Sequence, residues 1–186
     1  MNPEQQKITD EINQMATEDQ KYRQAKPSEI KNWDEINQID QKNLARIKEI
    51  ISQYGCITIS KFGEKTAQNA WLIIQHQTDD LEFMEHYCEL MEKNINDVHK
   101  KNWAYLKDRI LINRGENQLY GSQWFKGKDD AHFFLREIDD IENVDQRRTD
   151  VGLPTLDESI RKAQQDWDDG IVFPEGYVEK TYETYS

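Results

Sequence analysis

Apolar positions recur at helical spacing along most of the chain. Ile8, Ile12, Met15 and Tyr22 predict an amphipathic helix over about 4–24. Leu44, Ile47, Ile51 and Tyr54 fall on one stripe of a second helix over about 35–54, with Gly55 just beyond its end. Pro27 punctuates the connector "PSEIKNW" (27–33) between the two. "CITIS" (56–60) alternates and reads as a short strand or an extended loop. A third helix over about 64–77 carries "AWLII", apolar on most sides and therefore central. Two more follow, over about 80–94 (Met84, Tyr87, Cys88, Met91) and about 97–112 (Trp103, Leu106, Ile110).

The period then changes. "QLYGSQWF" (118–125) and "AHFFLREI" (131–138) are strand-like runs separated by "KGKDD", a loop of hairpin length. In a regular strand Gln118, Tyr120 and Ser122 share one face, and Leu119, Gly121 and Gln123 the other. Gln123, beside Gly121, is then the amide that faces inward, and Gln118 or Tyr120 joins it only through a twist or bulge. "NVDQRRTDVGLP" (143–154) reads as a short helix or turn ending at Gly152. Thr155 and Glu158 have capping-box spacing and open a helix to about 168. The expected class is mainly α: a single-domain helical bundle over 1–170 with a small antiparallel β-hairpin in its C-terminal half. A tail over 171–186 is expected to pack in part or stay loose.

Composition narrows the function classes. The 24 basic against 36 acidic residues leave a net charge of −12, which opposes a phosphate backbone, and the basic residues form no stripe. Five Trp, eight Tyr and six Phe argue for a packed chain rather than a disordered one. Neither an apolar leader nor an 18-residue apolar window is present, so neither membrane nor nucleic acid is an expected partner. Cys56 and Cys88 lack CxxC spacing and read as reduced thiols of a cytoplasmic protein.

The informative positions are polar residues standing in apolar stripes. Asp19 continues the line of Ile8, Ile12 and Met15; Asp40 and Asn43 lead into Ile47 and Ile50. His76 follows Leu72 and Ile73, with Asp79 three residues on; Tyr105 and Asp108 share a stripe with Ile112, and Arg109 is the i+4 neighbour of Tyr105. A charge on a buried face must be paired, so these groups meet one another, a ligand or water.

In order and spacing, "EDQKYR", Asp40 with Asn43, "AWLIIQHQTDD", "AYLKDRILI", "QLYGSQ" and "DQRRTDVGL" resemble an uncharacterised bacterial family, domain of unknown function 6624. Its pattern falls here on Asp19, Gln20, Arg23, Asp40, Asn43, Gln75, His76, Asp79, Tyr105, Asp108, Arg109, Gln118, Tyr120, Gly121, Gln123, Asp145, Arg147, Arg148 and Gly152. Two positions depart from it: a "GWP" turn is Gly55-Cys56-Ile57, and the Thr of "YGTQ" is Ser122. The resemblance implies no activity, but it picks out the same polar positions as the stripes.

His76 is the one histidine of that set and suits general acid/base work near neutral pH, with Asp79 or Asp108 to orient it. Arg109, Arg147 and Arg148 can hold an anionic group, and Tyr105, Gln118, Tyr120 and Gln123 an amide or carbonyl. Asp19, Arg23, Asp40 and Asn43 are read as supporting. His76, Asp79 and Asp108 also form a hard ligand set, but no second motif histidine joins them, and no metal is assigned. No cofactor is named by any motif: GxSxG, Walker, GxGxxG and HExxH are all absent.

Three readings follow. The first is a small enzyme, a hydrolase or transferase acting on a polar amide-bearing or anionic small molecule or peptide, with His76 as acid/base. The second is a non-catalytic acidic binding protein, toxin-neutralising or regulatory, that covers a basic protein partner. The third is a polar network that only fixes helix packing.

Overall fold

The stripe Ile8, Ile12 and Met15 is the buried face of helix α1 (Pro3–Arg23). In the computed structural model, residues 2–23, 33–126, 132–166 and 170–172 are described. The chain forms two compact units, Met1–Trp103 and Ala104–Ser186, and each is taken by itself. The connector around Pro27 and the "KGKDD" turn lie mostly outside the described residues.

In the first unit α1 is joined by α2 (Trp33–Tyr54), α3 (Ile59–Phe62), α4 (Glu64–Ile74) and α5 (Leu81–Lys93). Ile47, Ile50 and Ile51 of α2 and Ala70, Trp71, Ile73 and Ile74 of α4 are all buried, and α4 packs on α1, α2 and α3, so the "AWLII" helix is central as expected. Each isoleucine buried this fully contributes about 1.5–3 kcal/mol. Polar pairs fix the directions. Glu4 meets Tyr54 and Glu11 meets Arg46, so α1 and α2 are antiparallel. Asn13 meets Asn69 and Asp19 meets His76, so α1 and α4 run the same way. The end of α1, the first half of α2 and the end of α4 therefore share one end of the trio.

Gly55 ends α2 with a φ of 70° and an amide that donates to the Ile51 carbonyl. Of "CITIS", Cys56, Ile57 and Thr58 are a buried extended link, as the loop reading expected, whereas Ile59 and Ser60 already belong to the single helical turn of α3. Three consecutive buried residues have no two-faced alternation to satisfy. Asp97 caps that turn, accepting from Ser60 N at 2.9 Å and from the Ser60 hydroxyl. Neither Cys56 nor Cys88 is in a disulfide and both are buried, and burial pushes the Cys56 thiol up to about 11, so it stays protonated near neutral pH.

Helix α6 (Lys100–Asn113) carries the chain into the second unit. There β1 (Trp124–Lys126) pairs antiparallel with β2 (His132–Leu135), Phe125 opposite Phe134, which stack at 5.1 Å. This is the expected hairpin. A third strand, β3 (Gly170–Val172), was not foreseen and adds parallel to β2. The connection between them holds a short 3₁₀ turn (Ile141–Asn143), α7 (Val144–Asp150) and α8 (Leu156–Asp166), the crossover that a parallel pair requires. Ile171 and Val172 of the expected tail thus belong to a strand; 173–186 lie outside the described residues. Leu135, Ile138, Val144, Leu156 and Ile160 form this unit's core. The capping box is present: Thr155 N donates to Glu158 Oε2 at 2.8 Å, and Glu158 N to Thr155 Oγ1 at 3.2 Å. No helix among the described residues is long and apolar enough to cross a membrane.

Candidate functional site

The first unit places a carboxylate against an imidazole. Asp19, 3% exposed, has both carboxylate oxygens near His76 Nδ1, Oδ1 at 3.2 Å and Oδ2 at 3.1 Å. Gln20 Nε2 donates to Asp19 Oδ2 at 2.8 Å. An ionised carboxylate only accepts, so Nδ1 carries the proton of the neutral ring and Nε2 is left as the basic nitrogen. The ring is 14% exposed, and Nε2 takes no hydrogen bond among the described residues.

His76 reaches Asp19 because α4 stops short of it. The last regular residue is Ile74, and Gln77 folds back to donate from Nε2 to the Ile73 carbonyl at 3.2 Å. Asp80 then caps α5, accepting from Phe83 N at 3.1 Å, and Lys48 holds its carboxyl below the usual value. The helical HxxD spacing expected for His76 and Asp79 is accordingly absent. Asp79 stands exposed in the turn, and the carboxylate on the ring is Asp19, which the sequence reading took as supporting.

Along α1, Glu11, Gln14, Met15 and Glu18 face Lys42, Asn43 and Arg46 of α2 across a cleft of about 170 Å³. Arg46 is held by Glu11 at 2.6 and 2.9 Å and by Glu49 at 2.6 Å. Asn43 is 2% exposed. Asp40 is half-buried one turn before it, and the side chain of Arg23 is outside what is described.

The second unit gathers its motif residues around "LYGSQ". Asp108, fully buried, accepts from Leu119 N at 2.7 Å, Tyr120 N at 3.0 Å, and Ser122 N and Oγ at 3.0 and 2.8 Å. Burial nonetheless pushes its carboxyl above the ordinary value. Gln118 returns to the loop's far end: its Nε2 donates to the Gln123 carbonyl at 3.2 Å, and its Oε1 accepts from Gln123 N at 2.8 Å. Arg148, 3% exposed, donates to the carbonyls of Tyr120, Gly121 and Pro154 and to the Ser159 hydroxyl. Arg147 donates to the carbonyls of Leu119, Asp139 and Asp140. Asp145 Oδ1 accepts from Leu156 N at 2.7 Å at the start of α8.

Gln118 makes one isolated parallel bridge to Ile138, and segment 119–123 is a clamped loop rather than a strand. Its amides meet because the side chain of Gln118 substitutes for a ladder partner, not because a regular strand bulges. Gln123 turns its own amide to Ser122 Oγ at 3.1 Å and to the Tyr105 carbonyl at 3.4 Å. Tyr105 and Arg109 are half-buried on α6. The cleft residues Glu11, Gln14, Glu18, Lys42 and Arg46 were not singled out in the sequence. Glu11 and Arg46 are 35 positions apart, and nothing local marks either as more than a solvated helix charge.

No curated protein and no solved structure matches the chain. A family model does, over residues 5–170, and it spans every clamped and paired position just described. The chain belongs to that family, described as a family of unknown function (DUF6624).

Proposed function

We propose that the protein is a small acid/base enzyme in which Nε2 of His76 moves the proton and Asp19 holds the ring. Its substrate class is a polar amide-bearing or anionic small molecule or peptide, and the reaction is a hydrolysis or a group transfer. One observation carries the reading: a nearly buried carboxylate sits on Nδ1 of a partly exposed ring whose Nε2 takes no hydrogen bond among the described residues. In such a step Nε2 takes the proton of an attacking water or hydroxyl and returns it to the leaving group. Asp108, Gln118, Arg147 and Arg148 support the loop of the second unit through their hydrogen bonds, which favours positioning over substrate contact for those four.

The test is a panel of N-acyl amides, peptides and esters assayed with wild type and His76→Gln. Loss of turnover by about 10²-fold or more at an unchanged melting temperature supports the reading. Equal turnover in the variant contradicts it. A second reading, a non-catalytic cover for a basic partner, rests on the net charge of −12. It is separated by salt: binding that weakens steeply with ionic strength and ignores His76→Gln favours it.

A further inference from the structure

We infer that the cleft between α1 and α2 is a binding site for a neutral amide carbonyl, with the Asn43 side chain as its donor. The claim that this carbonyl belongs to the substrate rests on the acid/base reading above; the binding itself does not.

Asn43 stands in the apolar stripe of α2, one turn before Ile47, where an aliphatic residue would pack without penalty. It is 2% exposed, and its Nδ2 has no hydrogen-bond partner among the described residues. A buried amide hydrogen without an acceptor is costly, and folded chains keep such a group where something else satisfies it. Asn43 also lines the cleft, so a ligand seated there can supply the missing acceptor once the side chain turns toward it.

The walls select the ligand's charge. Glu11 and Glu18 face Lys42 and Arg46, two carboxylates against two cations, so the lining carries no net charge. Arg46 is occupied by Glu11 and Glu49, and Glu18 accepts from Gln14 Nε2 at 3.1 Å. An anion gains no net field here to offset the loss of its hydration, whereas a neutral carbonyl takes the Asn43 hydrogen bond at a smaller desolvation cost. A volume of about 170 Å³ lies below the range of sites for drug-sized ligands and suits an acetamide-sized group, such as one peptide unit or a side-chain amide. Met15 and Glu18, on the cleft wall, are the i−4 and i−1 neighbours of Asp19, so this cleft and the His76 ring adjoin the same turn of α1.

The experiment follows the Asn43 side-chain NH₂ resonances in ¹⁵N-labelled protein, assigned by their loss in Asn43→Leu. Acetamide and N-acetylglycinamide are the probes, and acetate and inorganic phosphate the controls. The expected result is a saturable shift of the Asn43 NH₂ pair with amide probes at millimolar affinity, as suits so few atoms. Asn43→Leu should keep or raise the melting temperature, because it removes an unmet polar group, and should abolish the cleft's response to the probes. Absence of a saturable shift at about 100 mM amide overturns the inference, since millimolar binding would be saturated there. So does tighter binding of acetate or phosphate, or a fall of more than about 5 °C in Asn43→Leu, which would show the amide already satisfied within the fold. Amide binding that persists in His76→Gln supports the inference even where the turnover panel has failed.

Discussion

Asp19 and His76 lie 57 positions apart in sequence and meet carboxylate to Nδ1 at 3.1 Å. The contact depends on two helices running in the same direction and on α4 ending two residues before the ring. It favours one tautomer of the His76 ring, the one that the proposed acid/base role requires, and several consequences can be measured.

Nε2 should be unusually reactive among the four histidines. Modification of His76 by diethyl pyrocarbonate, followed by peptide mass mapping, should slow by about 5-fold or more in Asp19→Asn, a loss that corresponds to roughly 1 kcal/mol in the barrier. An unchanged rate would mean that Asp19 does not tune the ring.

Asp108 serves the loop. Asp108→Asn replaces one carboxylate oxygen by an NH₂ donor, so either the amides of Leu119 and Tyr120 or that of Ser122 lose their acceptor. Leaving those amides unmet should cost about 2–4 kcal/mol, read as a shift in the urea midpoint at constant slope. A neutral effect would make its hydrogen bonds dispensable.

Gly121 has a φ of 64°, and a Cβ there would stand 2.7 Å from Ile138 Cδ1 and 3.0 Å from Leu156 Cδ1. Gly121→Ala should therefore cost about 2–4 kcal/mol, combining left-handed strain with overpacking. Arg148→Lys should fall in a similar range, about 2–4 kcal/mol, because one ammonium cannot span the carbonyls of Tyr120 and Pro154 and the Ser159 hydroxyl. Melting curves of the two variants check both values.

Acid should weaken the fold through identifiable groups. Arg46 holds Glu11 below 4.5, Lys48 and Ser60 hold Asp80 and Asp97 below 3.8, and the Thr155 amide holds Glu158 below 4.5. Their stabilisation is complete above those ordinary values and is lost as pH falls through the lowered folded ones. Asp108 acts oppositely: its raised carboxyl opposes folding as pH climbs from 3.8 through its folded value. Urea midpoints taken between about pH 6 and pH 3 should fall less steeply in Asp80→Asn than in wild type, and parallel curves would contradict the assignment.

The helices were legible because each buries one stripe, and Ile8, Ile12, Ile47 and Ile50 read the same in sequence and in the core. The capping box of Thr155 and Glu158 is equally local. The stripes also exposed Asp19, Asn43, His76 and Asp108 as polar groups on buried faces. Which of them meet was not legible, because partnership depends on helix direction. Asp79 is nearer to His76 in sequence, yet Asp19 takes the ring once α4 breaks at Ile74. Likewise the alternation of "QLYGSQWF" suggested a strand, whereas the Gln118 side chain and Asp108 together satisfy the loop's backbone and remove the need for a ladder there. Strand β3 is only three residues long and carries no signal of its own.

The central claim is tested most directly by long-range ¹H–¹⁵N NMR of the His76 imidazole, at a pH where the ring is neutral. The Nδ1–H tautomer with a bare Nε2 is expected in wild type, and a shift toward Nε2–H in Asp19→Asn. An Nε2–H ring in wild type, unchanged by Asp19→Asn, would contradict it.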